Sequence, residues 1–116
     1  MKIAFCYPGQ GVQKIGMAQG FVTADPEFAA MMVKASEAAD IDMAKLMFEE
    51  NEDINITEFT QVCLLTTSVA LLKEIESRGG KADVAGGLSL GEYCALVSNG
   101  AMDAVDAAKV VRKRGI

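Results

Sequence analysis

The chain has 116 residues, a length that suits one domain with a real core. It is 51% hydrophobic and 23% charged, with a net charge of −5 at pH 7. That is the balance of a soluble globular protein, and it argues against a nucleic-acid surface and against a chain that must cling to membranes.

Lys2 to Tyr7 reads as a buried strand, stopped by the breaker cluster Pro8-Gly9-Gln10-Gly11. Its apolar run is too short for a signal peptide or a membrane span. A short helix is expected around Gln13 to Phe21. Asp25-Pro26-Glu27 then supplies an N-cap, a proline at the first helical position and an acidic first turn. The helix it opens runs to about Ala39, with Phe28, Met31, Met32 and Ala35 as its apolar face. Asp42 caps a short helix holding Met43, Leu46 and Met47, methionines that read as core filler.

Asn51 to Asn55 is a polar loop, and Thr57 is expected to cap a long helix from Glu58 to about Arg78. The middle of that helix, Val62 to Leu72, carries no charge on any side, the mark of a helix buried in a larger body. Gly79-Gly80 ends it. A second strand, Ala82 to Gly86, leads into a helix starting near Glu92, and Asn99-Gly100 turns the chain. Asp103 caps a last helix to about Arg114, with Gly115 as its C-cap. Two strands, each followed by a glycine-containing loop and a helix, point to an α/β fold with a short parallel sheet. Sites in such sheets gather at the carboxyl ends of the strands, so the loops at Gly9–Gly11 and Gly87–Gly91 should meet on one edge.

Between the second strand and its helix lies Gly87-Leu88-Ser89-Leu90-Gly91, which reads as G-x-S-x-G, a nucleophile elbow. Ser89 is the candidate nucleophile; the plainer reading is an ordinary N-cap serine. The backbone N–H groups of Gln10 and Leu90 are candidate oxyanion donors, with Gln10 otherwise a plain turn residue. In the last helix Ala107, Val110 and Val111 mark the apolar stripe, and Arg114 continues it inward while Lys109, Arg112 and Lys113 point elsewhere. An inward guanidinium suits an anionic partner, a carboxylate above all. The alternative is a cation complementing the helix dipole. Glu92 reads as an acidic first-turn residue rather than an acid/base group.

Two absences shape the chemistry. The chain holds no histidine, the usual base for an elbow serine. Cys6, Cys63 and Cys94 form no CxxC pair. That argues against a disulfide framework or a metal site and fits a reducing cytosol, with each thiol a small buried apolar side chain.

These motifs together resemble the malonyl-CoA:acyl carrier protein transacylases. Phe5-Cys6-Tyr7-Pro8-Gly9-Gln10-Gly11-Val12-Gln13 is similar to their opening F-x-F-P-G-Q-G-x-Q. Thr60-Gln61 with Leu64 to Leu72 resembles their T-Q-P…L-x-T-S-x-A block. Gly87 to Tyr93 with Ala95-Leu96-Val97 resembles G-H-S-L-G-E-Y-x-A-L-V, and Val110 to Gly115 resembles the helix ending in R-G. The blocks keep the family's order and cover the whole chain.

The resemblance implies that residues 1–116 are the N-terminal part of a large, α/β-hydrolase-like subdomain. It implies Ser89 as the acylated nucleophile, Gln10 and Leu90 as oxyanion donors, and Arg114 as the grip on the malonyl carboxylate. The implied partners are malonyl-CoA and the phosphopantetheine thiol of acyl carrier protein, with no cofactor, in the cytoplasm. Leu90 after the serine is similar to the malonyl-selecting members. Leu88 replaces a histidine common before the serine, and Val62 replaces the usual proline after Gln61. The family's ferredoxin-like subdomain and catalytic histidine lie beyond the last matching motif, so this chain alone is expected to be inactive, with uncovered apolar surface that favours self-association. Alternatives are an acyltransferase fragment of a polyketide synthase, which the start at Met1 disfavours, and a non-catalytic carrier-protein binding module. An unrelated esterase shares the elbow but explains neither Arg114 nor the opening loop.

Overall fold

A computed structural model describes residues 1–116. In chain order it has strand β1 (Ala4–Tyr7) and helices α1 (Gln19–Ala24), α2 (Pro26–Ala39) and α3 (Met43–Phe48). A 3-10 turn (Asp53–Asn55) leads to the long helix α4 (Thr57–Ser77), strand β2 (Val84–Gly87), α5 (Gly91–Ser98) and α6 (Ala104–Gly115). The strands pair in parallel, Ala4 opposite Val84 through Tyr7 opposite Gly87. Ile3 and Asp83 lock the start of the pair: Ile3 N–H donates to the Asp83 carboxylate at 2.6 Å and Asp83 N–H returns a bond to Ile3 O at 2.8 Å.

Helix α4 is the axis of the core. Val62, Cys63, Leu65 and Val69 are fully buried, against Phe28, Met32 and Ala35 of α2, Met43 and Met47 of α3, and Ala107, Ala108 and Val111 of α6. The uncharged middle of α4 is therefore buried on nearly every side, as its composition requires. Burial pushes the Cys63 thiol up to about 12 and, with partial relief from a Ser68 hydrogen bond, the Cys94 thiol up to about 11, from 9.0.

Capping follows the sequence at three helices. The Asp25 carboxylate accepts from Glu27 N–H (2.9 Å), Asp42 from Lys45 N–H (3.0 Å), and Asp103 from Val105 and Asp106 N–H (3.0 and 3.2 Å). Gly79, at φ +88°, ends α4 while Gly80 N–H reaches back to Ile75 O at 3.0 Å.

Several expectations are corrected. The helix expected at Gln13–Phe21 starts only at Gln19, because Gly16 (φ +86°) and Ala18 (φ +65°) adopt left-handed backbone and Gly16 N–H is tied to Met47 O at 2.7 Å. Thr57 does not cap α4; it is the first helical residue, and its hydroxyl oxygen accepts from Gln10 Nε2 at 3.2 Å. Asn51–Asn55 contains a 3-10 turn that buries Ile54. Gly115 lies inside α6 rather than capping it: a Cβ there would fall 2.5 Å from Glu58 Cα, so its role is close approach of α6 to α4. Neither strand is buried; residues alternate between exposed and half-buried, and Cys6 is exposed. Parallel strands ordinarily have both faces covered. Here β1 and α4 instead border an apolar cleft of about 410 Å³ lined by Tyr7, Val12, Leu64 and Ile75 among others.

Two outcomes follow. In native conditions a thiol reagent should modify Cys6 alone, and all three cysteines only in denaturant; rapid native labelling of Cys63 would contradict the burial. The two buried thiols hold their protons to higher pH in the folded state than in the unfolded state. Their contribution to stability is thus complete below about pH 9 and lost as pH rises toward 11–12. Denaturant melts above pH 9 should show this decline, less steep in Cys63→Ala.

Candidate active site

The turn after β2 is built by exclusion of side chains. A Cβ on Gly87 would lie 2.0 Å from the Gly91 carbonyl carbon, and one on Gly91 would lie 2.3 Å from Tyr7 O and 2.9 Å from Pro8 O. Gly9 is constrained less tightly, with its Cβ position 2.9 Å from Leu88 O. Leu88 N–H also donates to Tyr7 O at 3.1 Å. The loops after β1 and β2 therefore meet backbone to backbone at the carboxyl edge of the sheet, where the sequence placed them.

Ser89 sits at the apex with φ +52°. A non-glycine residue pays to hold left-handed backbone, and such strain gathers at functional turns. The N-cap of α5 is Leu90, and the Ser89 hydroxyl caps nothing. It is exposed and accepts a hydrogen bond from Arg114 Nη2 at 2.7 Å. Leu90 is buried by side chain, so its position in the turn is fixed by the core. Its N–H and that of Gln10 take part in no hydrogen bond within the chain, while the Gln10 side chain is anchored on Thr57. Glu92 is exposed in the first turn of α5, as expected for a helix-dipole partner.

Arg114 is held on three sides. Nη2 donates to Ser89 Oγ, Nη1 donates to Gln61 Oε1 at 2.6 Å, and the guanidinium carbon lies 5.5 Å from the centre of the Tyr93 ring. Gln61 and Tyr93 hold Arg114 beside the elbow, a role that the spacing of residues did not assign to them. Gln61 is 6% exposed on a helix otherwise apolar there, and a buried amide needs a partner; that signal was available. Arg114 does reach the site, but it is exposed rather than turned inward, and Val110 of its stripe is exposed as well. The arginine with an anionic partner is Arg112, expected to point away. It pairs with Glu58, donates to Ala39 O at 3.2 Å and lies over the Phe59 ring at 5.1 Å.

No group of three or more His, Cys, Asp or Glu side chains is placed to hold a metal ion, and no helix is long and apolar enough to cross a membrane. A concavity of about 680 Å³ lined by Gly16, Phe21, Asp25 and Arg78, among others, shares no residue with the elbow.

The acyl transferase domain family model matches residues 4–116. The chain belongs to this family. It is 42% identical over 115 residues to a malonyl CoA-acyl carrier protein transacylase of Bacillus subtilis strain 168, covering 98% of this chain and 36% of that protein. The structure of the transacylase of the same name from Clostridium perfringens superposes with a TM-score of 0.93 at 41% identity, over 99% of this chain and 37% of that one. A malonyl-transacylase solved in complex with its type II polyketide-synthase acyl-carrier protein matches with a TM-score of 0.93 at 37% identity, over 99% and 38%. The chain thus spans little more than a third of the length of these family members. The fold of this acyl transferase chain is that of the corresponding part of theirs, a partial α/β core.

Gly91→Ala should cost about 2–4 kcal/mol in denaturant melts, since its Cβ has no room against the end of β1. Gly86→Ala, with nothing within 4 Å of its Cβ position, should stay within about 1 kcal/mol of wild type. Equal effects at the two positions would contradict the packing described.

Proposed function

We propose that this chain carries the serine half of a malonyl transacylase and forms the N-terminal part of its large, hydrolase-like subdomain. The observation that carries the reading is the Arg114 guanidinium on the hydroxyl of an elbow serine, Nη2 to Oγ 2.7 Å. An esterase has no use for a cation there; an acyl group that ends in a carboxylate does. The names of the matched relatives agree with it.

In the proposed first half-reaction Ser89 Oγ attacks the thioester carbon of malonyl-CoA. The carbonyl electron pair moves onto oxygen, which the N–H groups of Gln10 and Leu90 stabilise. That pair then returns to re-form the carbonyl as the C–S bond breaks, which leaves the malonyl-serine ester, and CoA departs as the thiol with the serine's proton. In the second, the phosphopantetheine thiol of acyl carrier protein attacks the ester carbon; a C–S bond forms, the C–O bond breaks and the serine recovers a proton. Arg114 holds the malonyl carboxylate throughout, and no cofactor takes part. A proton carrier is required in both halves, and the chain's 116 residues include no histidine to serve as one. Transfer by this chain alone is therefore slow. The cytoplasm is the proposed compartment. The exposed Ile3, Val12, Val84 and Leu88 around the sheet are the proposed surface of self-association, which light scattering reads directly.

Incubation with malonyl-CoA, followed by peptide mapping, should find malonyl on Ser89 and nowhere else, with no sustained turnover to carrier protein. Arg114→Ala should lower the preference for malonyl-CoA over acetyl-CoA by about ten- to a hundredfold, the effect of losing one charged hydrogen-bonding partner. An adduct on another residue would overturn Ser89 as nucleophile, and normal multiple turnover by this chain would overturn the missing proton carrier.

A further inference from the structure

Both terminal nitrogens of Arg114 are engaged by the chain itself, Nη1 on Gln61 and Nη2 on Ser89. A guanidinium carries five N–H donors, so a carboxylate competes with one of these acceptors only where it lies beside the N–H that the acceptor uses. The two are not equally easy to displace. Gln61 is 6% exposed, and an amide oxygen unpaired there loses its partner without gaining water. Ser89 is exposed, and water replaces the arginine at little cost. Connectivity points the same way. In a malonyl thioester one methylene separates the carboxylate from the carbon that Ser89 must attack. With that carbon at Oγ, the carboxylate lies beside the N–H that holds Oγ.

Resting on the malonyl-transfer reading, we propose that the Arg114–Ser89 hydrogen bond is a latch opened by the substrate's own carboxylate. While Nη2 donates to Oγ, one oxygen lone pair of the nucleophile is committed to a cationic donor and the hydroxyl is a poorer nucleophile. An acyl group bearing a carboxylate takes Nη2 and frees Oγ at the moment its thioester carbon arrives. An acyl group without one leaves the serine held. Selectivity then has two parts, binding of the carboxylate and release of the nucleophile, and Arg114 supplies both. Gln61 and the Tyr93 face keep the guanidinium in place while its partner changes.

The exchange gives binding a sign that a simple grip does not. If the carboxylate displaces the serine hydroxyl, removing that hydroxyl strengthens carboxylate binding. Free malonate is the probe, and the neutral diamide malonamide is the control. NMR titration of the chain should shift the Arg114 side-chain Nε–Hε signal and the Ser89 Cβ signal together with malonate and neither with malonamide. Ser89→Gly suits the left-handed backbone, and Ser89→Ala is the second variant, since Ala18 holds φ +65° in the same chain. Both should bind malonate about three- to tenfold more tightly than wild type, the range for one modest hydrogen bond removed from the competition. Equal or weaker malonate binding by both variants, with the Arg114 signal still moving in wild type, overturns the latch and leaves the carboxylate grip standing. An Arg114 signal that ignores malonate overturns both.

Discussion

Between Gly91 and the end of β1 there is room for a hydrogen atom and nothing larger. Everything at the site depends on that contact. It seats the first turn of α5 against the backbone of Tyr7 and Pro8, so the two loops that follow the strands form one surface. It also forces the chain through a sharp bend in which Ser89 adopts φ +52° and presents its hydroxyl outward. The bend is over-determined from below by Leu90, whose side chain belongs to the core. A strained residue persists where its neighbours leave it no alternative, and here they are two glycines, one buried leucine and the end of a strand.

The second dependence is the seating of α6 on the first turns of α4. Gly115 lets the helices approach until its Cα side faces the Glu58 backbone. Two arginines then divide the work. Arg112, half-buried, pairs with Glu58, reaches the end of α2 through Ala39 O and covers Phe59; it fixes the helix. Arg114, half a turn on, projects past the edge of the core toward the elbow. A half-buried ion pair contributes little net stability once desolvation is counted, and its better-attested use is to fix a register. In this chain the register decides whether the second guanidinium meets a serine or water.

Much of this was legible in the residues. The elbow, the parallel pair, three of the helix caps and the meeting of the two loops follow from glycine placement, capping chemistry and strand–turn–helix order. Helical spacing put Arg114 on the side of α6 that reaches the site, although Arg114 itself and Val110 of its stripe are exposed. What the sequence concealed was tertiary. Spacing alone does not say that Arg112 finds Glu58 across fifty-four positions, because long arginine stems bend from the side of a helix to a partner beside it. Thr57 has the composition of a cap, but Ile56 already holds that place and Gln10 claims the hydroxyl. Lys2 to Tyr7 reads as buried because Ile3, Phe5 and Tyr7 alternate along it; its exposure reflects a sheet of two strands only.

The central claim is that the fold delivers a guanidinium, proposed to bind a carboxylate, to the hydroxyl of a turn serine. The most direct measurement is a crystal structure of the chain after exposure to malonyl-CoA. The account predicts an ester on Ser89 Oγ, its carbonyl oxygen on the N–H groups of Gln10 and Leu90, its carboxylate on Arg114 Nη2, and Nη1 still on Gln61. An acyl carboxylate lying in solvent, with Arg114 directed away from the elbow, would contradict it.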